Sequence, residues 1–293
     1  MGTLLHRQRD RGGQPAVCKF SFFPWLGGKH HMLKRLLTLI PAHQVYCEPF
    51  GGAASLLLAK QPSAIEAYND LNGDLVNLFV IVRDHPLQFL ERIYLLPYCR
   101  QLFEQWSDEI LGGADVMLDP IERAARFYYC VCGSFAGRGP GAGWAFARSH
   151  TRHQPLTWWF KATRIPAIHE RLRDVYVDCL DFRRFIRNWD SPETFLFVDP
   201  PYHETTDYVG VPSFSEKDHH DLAERLTNAK GKWLLTVSDC PLMRELYASF
   251  HIQAAETQLA VEKVGKGRAR RRLRHLIITN FDPVCVPFKN SRG

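Results

Sequence analysis

The chain has 293 residues, enough to bury a full core as one large domain or as one domain carrying a substantial insertion. Its 45% hydrophobic and 23% charged residues are ordinary for a globular protein, and no apolar run approaches the roughly 20 residues of a membrane helix, so no membrane partner is expected. A formal charge of +6 and a pI near 8.9 suit a polyanionic partner without requiring one. The eight cysteines form no CxxC pair and no regular spacing with histidine, so neither a metal site nor a disulfide framework is expected, and reduced thiols in a cytosolic protein are the simpler reading.

Residues 1–18 are basic and lack an apolar stretch, which reads as a flexible tail rather than a signal peptide. The run from Lys19 to Lys29, KFSFFPWLGGK, is aromatic and breaks at a double glycine ahead of a helical pattern over 31–40. A lysine at such a helix start can meet an anion, although a solvated lysine after a Gly-Gly turn is the simpler reading. Residues 44–50 give a short strand, followed by Gly51-Gly52-Ala53-Ala54-Ser55 and an apolar helix start. Strand, small-residue turn and helix together form the geometry of a nucleotide-cofactor loop, because missing side chains let a ligand lie against backbone. A second strand over 64–68 ends in Asn69-Asp70, and an acid 18 residues past Gly52 is placed to bind ribose hydroxyls.

Residues 73–103 read as helical with breaks at Pro86 and Pro97, and 122–131 as a further helix. Gly133 to Gly143, GSFAGRGPGAG, carries five glycines in eleven residues and is followed by Trp144, Phe146, Arg148, His150, Arg152 and His153. By composition this stretch is a flexible loop or one that orders on a partner, and basic residues interleaved with aromatic ones suit contact with nucleic acid. Next come a helix end and strand over 168–177, Asp181-Phe182, and a basic amphipathic helix to Trp189.

The stretch from Phe195 to Tyr202, FLFVDPPY, is a buried strand that stops at an acid, two prolines and a tyrosine. Pro200 and Pro201 cannot continue a sheet, so the strand presents the Asp199 carboxylate, a free carbonyl and an aromatic face together. Those groups can hold an exocyclic amine by its two hydrogens while its ring is stacked. The bland alternatives are a strand-end turn for Asp199 and simple packing for Tyr202. Beyond it, 215–230 reads as a helix, 233–237 as a strand and 241–250 as a helix. Two final strands, 258–264 and 273–281, are joined by a basic turn. Lys266, Arg268, Arg270, Arg271, Arg272 and Arg274 crowd that hairpin and suit phosphate contact, or else form a solvated surface. Alternating strands and helices predict a mostly parallel α/β sheet with an antiparallel edge.

Taken in order, WLGGK (25–29), EPFGGAAS (48–55), YNDLN (68–72), DPPY (199–202) and LIITNF (276–281) resemble the motifs of the Dam, or D12, class of site-specific adenine-N6 DNA methyltransferases. The likeness spans about residues 19–285. It implies a Rossmann-like S-adenosylmethionine-dependent methyltransferase fold with a mostly helical DNA-recognition insertion. The catalytic domain would comprise 19–85 and 165–288, and the target-recognition insertion 86–164. The resemblance further implies that Trp25, Lys29, Glu48, Phe50, Gly52, Asp70, Asp181, Phe182 and Asp199 line the S-adenosylmethionine site. Asp199, Pro200 and Tyr202 would act on the target base, flipped from the duplex. Arg138, Arg148, Arg268, Arg270, Arg271 and Arg272 would contact double-stranded DNA. Such an enzyme would be cytoplasmic, nucleoid-associated when bound, and a candidate companion of a restriction endonuclease. Position 54 is Ala where the class often has Gly, and the insertion lacks the pattern of GATC methylases. At this level cytosine N4 or RNA adenine as target, and a catalytically silent binding protein, remain open.

Overall fold

In this computed structural model the described residues are 22–25, 27–113, 118–146, 155, 158, 161–202, 213–258 and 272–283. The tail 1–18, Arg148, Arg268, Arg270 and Arg271 lie outside them, as does most of the basic hairpin turn. Short apolar runs closed by polar or glycine-rich residues become five parallel strands. These are β1 (Val45–Glu48), β2 (Ile65–Asn69), β3 (Val175–Asp178), β4 (Thr194–Val198) and β5 (Lys232–Ser238). Two more, β6 (His251–Gln258) and β7 (Arg272–Thr279), pair antiparallel with each other, and β7 runs against β5. The order β3-β2-β1-β4-β5-β7-β6 reverses direction between β1 and β4, the switch point where open sheets of this kind hold ligands.

Along the chain, α1 (Leu33–Thr38) precedes β1, α2 (Ser55–Ala59) follows it, and α3 (Gly73–Asp84) follows β2. Then come α4 (Pro86–Tyr94), α5 (Arg100–Leu111), α6 (Pro120–Gly133) and α7 (Ile165–Leu172) before β3. After β3, α8 (Phe182–Trp189) leads to β4, α9 (Glu216–Thr227) to β5 and α10 (Pro241–Leu246) to β6. Local chemistry sets several of these starts. Asn72 caps α3 by accepting from Asp74 N and Leu75 N, and Ser215 forms a reciprocal capping box with Asp218 at α9.

Period-two alternation along the strands feeds two cores, one on each face of the sheet. Phe195, Phe197, Leu234 and Ile277 face the first, where residues of α1 to α7 collect, and Leu196, Val198, Leu235 and Ile278 face the second, under α8, α9 and α10. The helices of 86–164 share the first core with α1, α2, α3 and α7: Phe89 and Tyr128 lie in the same cluster as Phe22, Phe79 and Leu75. A buried ionic group ties that side together. Glu66 is held by Lys60 and Arg171, and Arg171 also donates to the Leu57 carbonyl in α2. The two ends of the inserted segment meet as well. Arg83 donates to the Val175 carbonyl at 3.0 Å, and His169 Nδ1 donates to the Arg83 carbonyl at 2.7 Å.

The strand expected over 258–264 lies outside the described residues apart from Gln258, the last residue of the edge strand β6, which no apolar run marks. Two expectations need correction. The helix expected to reach residue 250 ends at Leu246. The glycine-rich stretch, expected to be flexible or to order on a partner, is folded on its own insertion. Ser134 bridges Trp144, Ala145 N donates to the Gly133 carbonyl at 2.7 Å, and Phe135 N donates to the Gly143 carbonyl at 2.7 Å. Serine hydroxyls hold the turns, Ser134 Oγ accepting from Gly139 N and Ser107 Oγ from Gly141 N. Trp144 packs on Tyr98 with ring centroids 4.3 Å apart. The glycines supply left-handed backbone rather than disorder, and at Gly137 (φ +68°) a Cβ would lie 2.6 Å from the Pro24 backbone.

Candidate active site

Because β1 to β5 are parallel, their carboxyl ends and the turns that follow share one edge of the sheet. That edge collects Phe50 to Gly52 after β1, Asp70 after β2, Asp181 and Phe182 after β3, and Asp199 to Tyr202 after β4. The glycine-rich turn is set by close approach. Gly51 sits against the Tyr68 ring, where a Cβ would lie 2.1 Å from Cε2, and Gly52 (φ +49°) faces the Trp25 indole, with Nε1 3.0 Å from where a Cβ would be. Tyr68 donates to the Gly52 carbonyl at 2.8 Å, and Ala54 closes the turn in left-handed conformation (φ 52°), the position where a glycine is at ease.

Asp70 organises this turn. Its Oδ2 accepts from Gly52 N and its Oδ1 from Asn72 N, each at 2.9 Å, and burial pushes its carboxyl above the usual carboxylate range despite those bonds. Asn69, given no role by the sequence, stitches neighbouring turns: its amide donates to the Pro49 and Leu180 carbonyls and accepts from Leu180 N. Phe50 and Phe182 meet at 5.3 Å between centroids, and Phe214, which the sequence did not single out, joins both at 5.6 Å. Asp181 caps α8, accepting from Arg183 N at 2.8 Å, and pairs with the Arg183 guanidinium. Glu48 points away under the turn. Its Oε1 accepts from the Tyr46 hydroxyl at 2.6 Å and Leu57 N at 2.8 Å, and burial raises its carboxyl to about 7.

Lys29 reaches the end of β4 on this edge. Its ammonium lies 2.6 Å from Asp199 Oδ1, donates to the Gly27 carbonyl at 2.9 Å, and stands over the Tyr202 ring 4.7 Å from the centroid. Thr236 of β5 donates to the same Asp199 Oδ1 at 2.6 Å. The Tyr202 hydroxyl meets His275 Nδ1 of β7 at 3.1 Å, and burial together with the Lys29 charge pushes the imidazole down to about 4. The structure therefore brings together Trp25, Lys29, Gly52, Asp70, Asp199 and Tyr202 along one strip, with Phe50 and Phe182 beside it. Arg138 lies on the insertion with an exposed side chain, and Arg272 contributes its place at the start of β7. Sequence reasoning missed Thr236 and His275. Their signal was present, a lone hydroxyl inside LLTV and a lone imidazole before LIIT, but their partners are far away in the chain. Among the described residues no group of three or more His, Cys, Asp or Glu is placed to hold a metal ion, and no helix is long and apolar enough to cross a membrane.

A Rossmann-like sheet with a glycine cradle after its first strand and an Asp-Pro-Pro-Tyr terminus after its fourth defines an S-adenosylmethionine-dependent methyltransferase fold. A family model described as D12 class N6 adenine-specific DNA methyltransferase matches residues 25–261. The chain is 27% identical over 286 residues to the type II methyltransferase M1.LlaDCHI of Lactococcus lactis subsp. cremoris, across 89% of this chain and 95% of that one. It is 26% identical over 267 residues to the type II methyltransferase M.CviBI of Paramecium bursaria Chlorella virus NC1A, across 88% and 98%. It is 23% identical over 287 residues to the DNA adenine methylase of Escherichia coli strain K12, across 92% and 98%. The protein belongs to the D12 class: it is an enzyme that methylates adenine N6 in DNA, and members of a methyltransferase family of this kind use S-adenosylmethionine.

Proposed function

We propose that the strip from Trp25 to Tyr202 is the site of methyl transfer to an adenine flipped out of double-stranded DNA. The glycine turn suits the methyl donor by its place: Gly51 and Gly52 let Tyr68 and Trp25 close on it, which fixes the turn at the carboxyl end of β1, where ligands of such sheets lie. Trp25, Gly52, Asp70, Asp181 and the Phe50–Phe182 pair would hold it, the acids toward its ribose hydroxyls and the rings beside its base, with Glu48 bracing the turn from below. S-adenosylmethionine held there supplies an electrophilic methyl group for direct in-line transfer, with no covalent intermediate on the chain.

The chain's own contribution is to make a poor nucleophile competent. The N6 lone pair of adenine is delocalised into its ring. Asp199 Oδ2 and the Pro200 carbonyl, accepting both amine hydrogens, draw the nitrogen toward sp³ and aim its lone pair. Lys29 covers one face of Tyr202, so the flipped base stacks on the opposite face or takes the ammonium's place. Flipping costs a few kcal/mol, recovered from contacts of the insertion 86–164, with Arg138 among its exposed cations. Relatives named type II methyltransferases make a companion restriction endonuclease the natural partner, acting in the same DNA-containing compartment.

The observation that carries this reading is the Asp199 carboxylate, held by two donors on one oxygen at the end of β4 beside the glycine cradle. With labelled S-adenosylmethionine and duplex DNA, Asp199→Ala is expected to lower transfer by about 10³-fold while DNA affinity and folding stay near wild type. Turnover close to wild type would return Asp199 to a turn-forming role.

A further inference from the structure

Thr236 is the only hydroxyl in the buried run Trp233 to Val237, and its side chain is 0% exposed. A buried hydroxyl must be hydrogen-bonded or it destabilises the fold, and Thr236 directs its proton to Asp199 Oδ1 at 2.6 Å. The sheet makes this pairing unavoidable. Val198 lies opposite Leu235 in the parallel register, so the next residues, Asp199 and Thr236, stand side by side and point to the same face. Lys29 lands on the same oxygen at 2.6 Å. Among the described residues Oδ2 accepts no hydrogen bond, so both donors select which oxygen is turned away from substrate and which is offered to it.

We propose that Thr236 is a positioning residue for methyl transfer: its hydroxyl locks the Asp199 carboxylate so that Oδ2 faces the adenine amine. The two donors are not equivalent. Lys29 is a long, flexible side chain on a single 3-10 turn (Lys29–His31), and a bound anion or base can draw its ammonium elsewhere. Thr236 is short, β-branched and fixed to a central strand flanked by β4 and β7, so its bond persists whatever occupies the site. A carboxylate freed to rotate would present its oxygens over a wide arc, and misplacement of about 1 Å costs on the order of 10²-fold in rate.

The inference rests on Asp199 being the amine acceptor, and one set of variants separates the two. Thr236→Val removes the hydroxyl at nearly constant shape, Thr236→Ser restores it, and Asp199→Ala tests the acceptor itself. Thr236→Ala is the second removal, read the same way should the valine variant not fold. Single-turnover transfer to duplex DNA is measured alongside S-adenosylmethionine affinity by calorimetry, DNA affinity and thermal stability. The expected result is a loss of about 10²-fold in the single-turnover rate for Thr236→Val, with both affinities within about threefold of wild type and recovery to within about threefold by Thr236→Ser. A wild-type rate in Thr236→Val, a Thr236→Ser variant as slow as Thr236→Val, or a loss carried only by affinity would each overturn the positioning role. If Asp199→Ala itself transfers at the wild-type rate, the acceptor assignment fails first.

Discussion

His275 stands behind Tyr202 as Thr236 stands behind Asp199. Its ring is 7% exposed, and its Nδ1 lies 3.1 Å from the Tyr202 hydroxyl. Burial and the Lys29 ammonium depress its folded value from 6.5 to about 4. The unfolded chain therefore binds a proton that the folded chain refuses between those limits, and stability falls as pH drops from about 6.5 to about 4. Replacement by asparagine keeps an acceptor near the tyrosine and deletes the titration. Urea midpoints at neutral pH and near pH 4.5 should show wild type losing about 2 kcal/mol more than His275→Asn on acidification. Equal losses would mean that the imidazole is solvated and Tyr202 is held by other contacts.

At the scale of the element, the folded glycine-rich loop of the insertion leans on the segment that carries Trp25. Gly137 touches Pro24 so closely that a Cβ would stand 2.6 Å from its carbonyl carbon, on a backbone already at φ +68°. Gly143, in the same loop, has nothing within 4 Å of its ideal Cβ. Gly137→Ala should cost about 2 kcal/mol, speed amide exchange across 134–145 and weaken S-adenosylmethionine binding by displacing Trp25, whereas Gly143→Ala should leave all three nearly unchanged. Like behaviour of the two variants in exchange and calorimetry would sever the loop from the Trp25 segment. Composition alone misread this loop, because what orders it is specific: two serine hydroxyls, one tryptophan and one proline 113 residues before Gly137 in the chain. The parallel strands were legible because each apolar run stops at residues that cannot continue a sheet, as at Asp199-Pro200. Trp25, Gly52 and Asp70 were legible as motifs. The bond from Lys29 to Asp199 was not, since local pattern carries no information about a partner 170 residues away.

Across the whole molecule, the described helices of 86–164 fold against the helices that cover the sheet rather than beside them. Phe89 of α4 is fully buried and meets Tyr128 of α6 at 5.6 Å, while Tyr128 in turn stacks on Phe22 next to Phe79 of α3. Phe89→Ala should cost about 3–5 kcal/mol and move a single calorimetric transition to lower temperature, the sheet and the inserted helices melting together. Two separated transitions would show that the inserted helices keep a core of their own. The same architecture decides where length can change. Arg83 and His169, on the helices that bracket the inserted segment, are joined by a 2.7 Å hydrogen bond, and Arg83 also reaches Val175 at the start of β3. The segment thus leaves and rejoins the domain at a fixed gate, and lengthening an exposed connection within it costs only about 0.6 kcal/mol for each doubling of that connection. Length can therefore change there without altering the register that pairs Asp199 with Thr236.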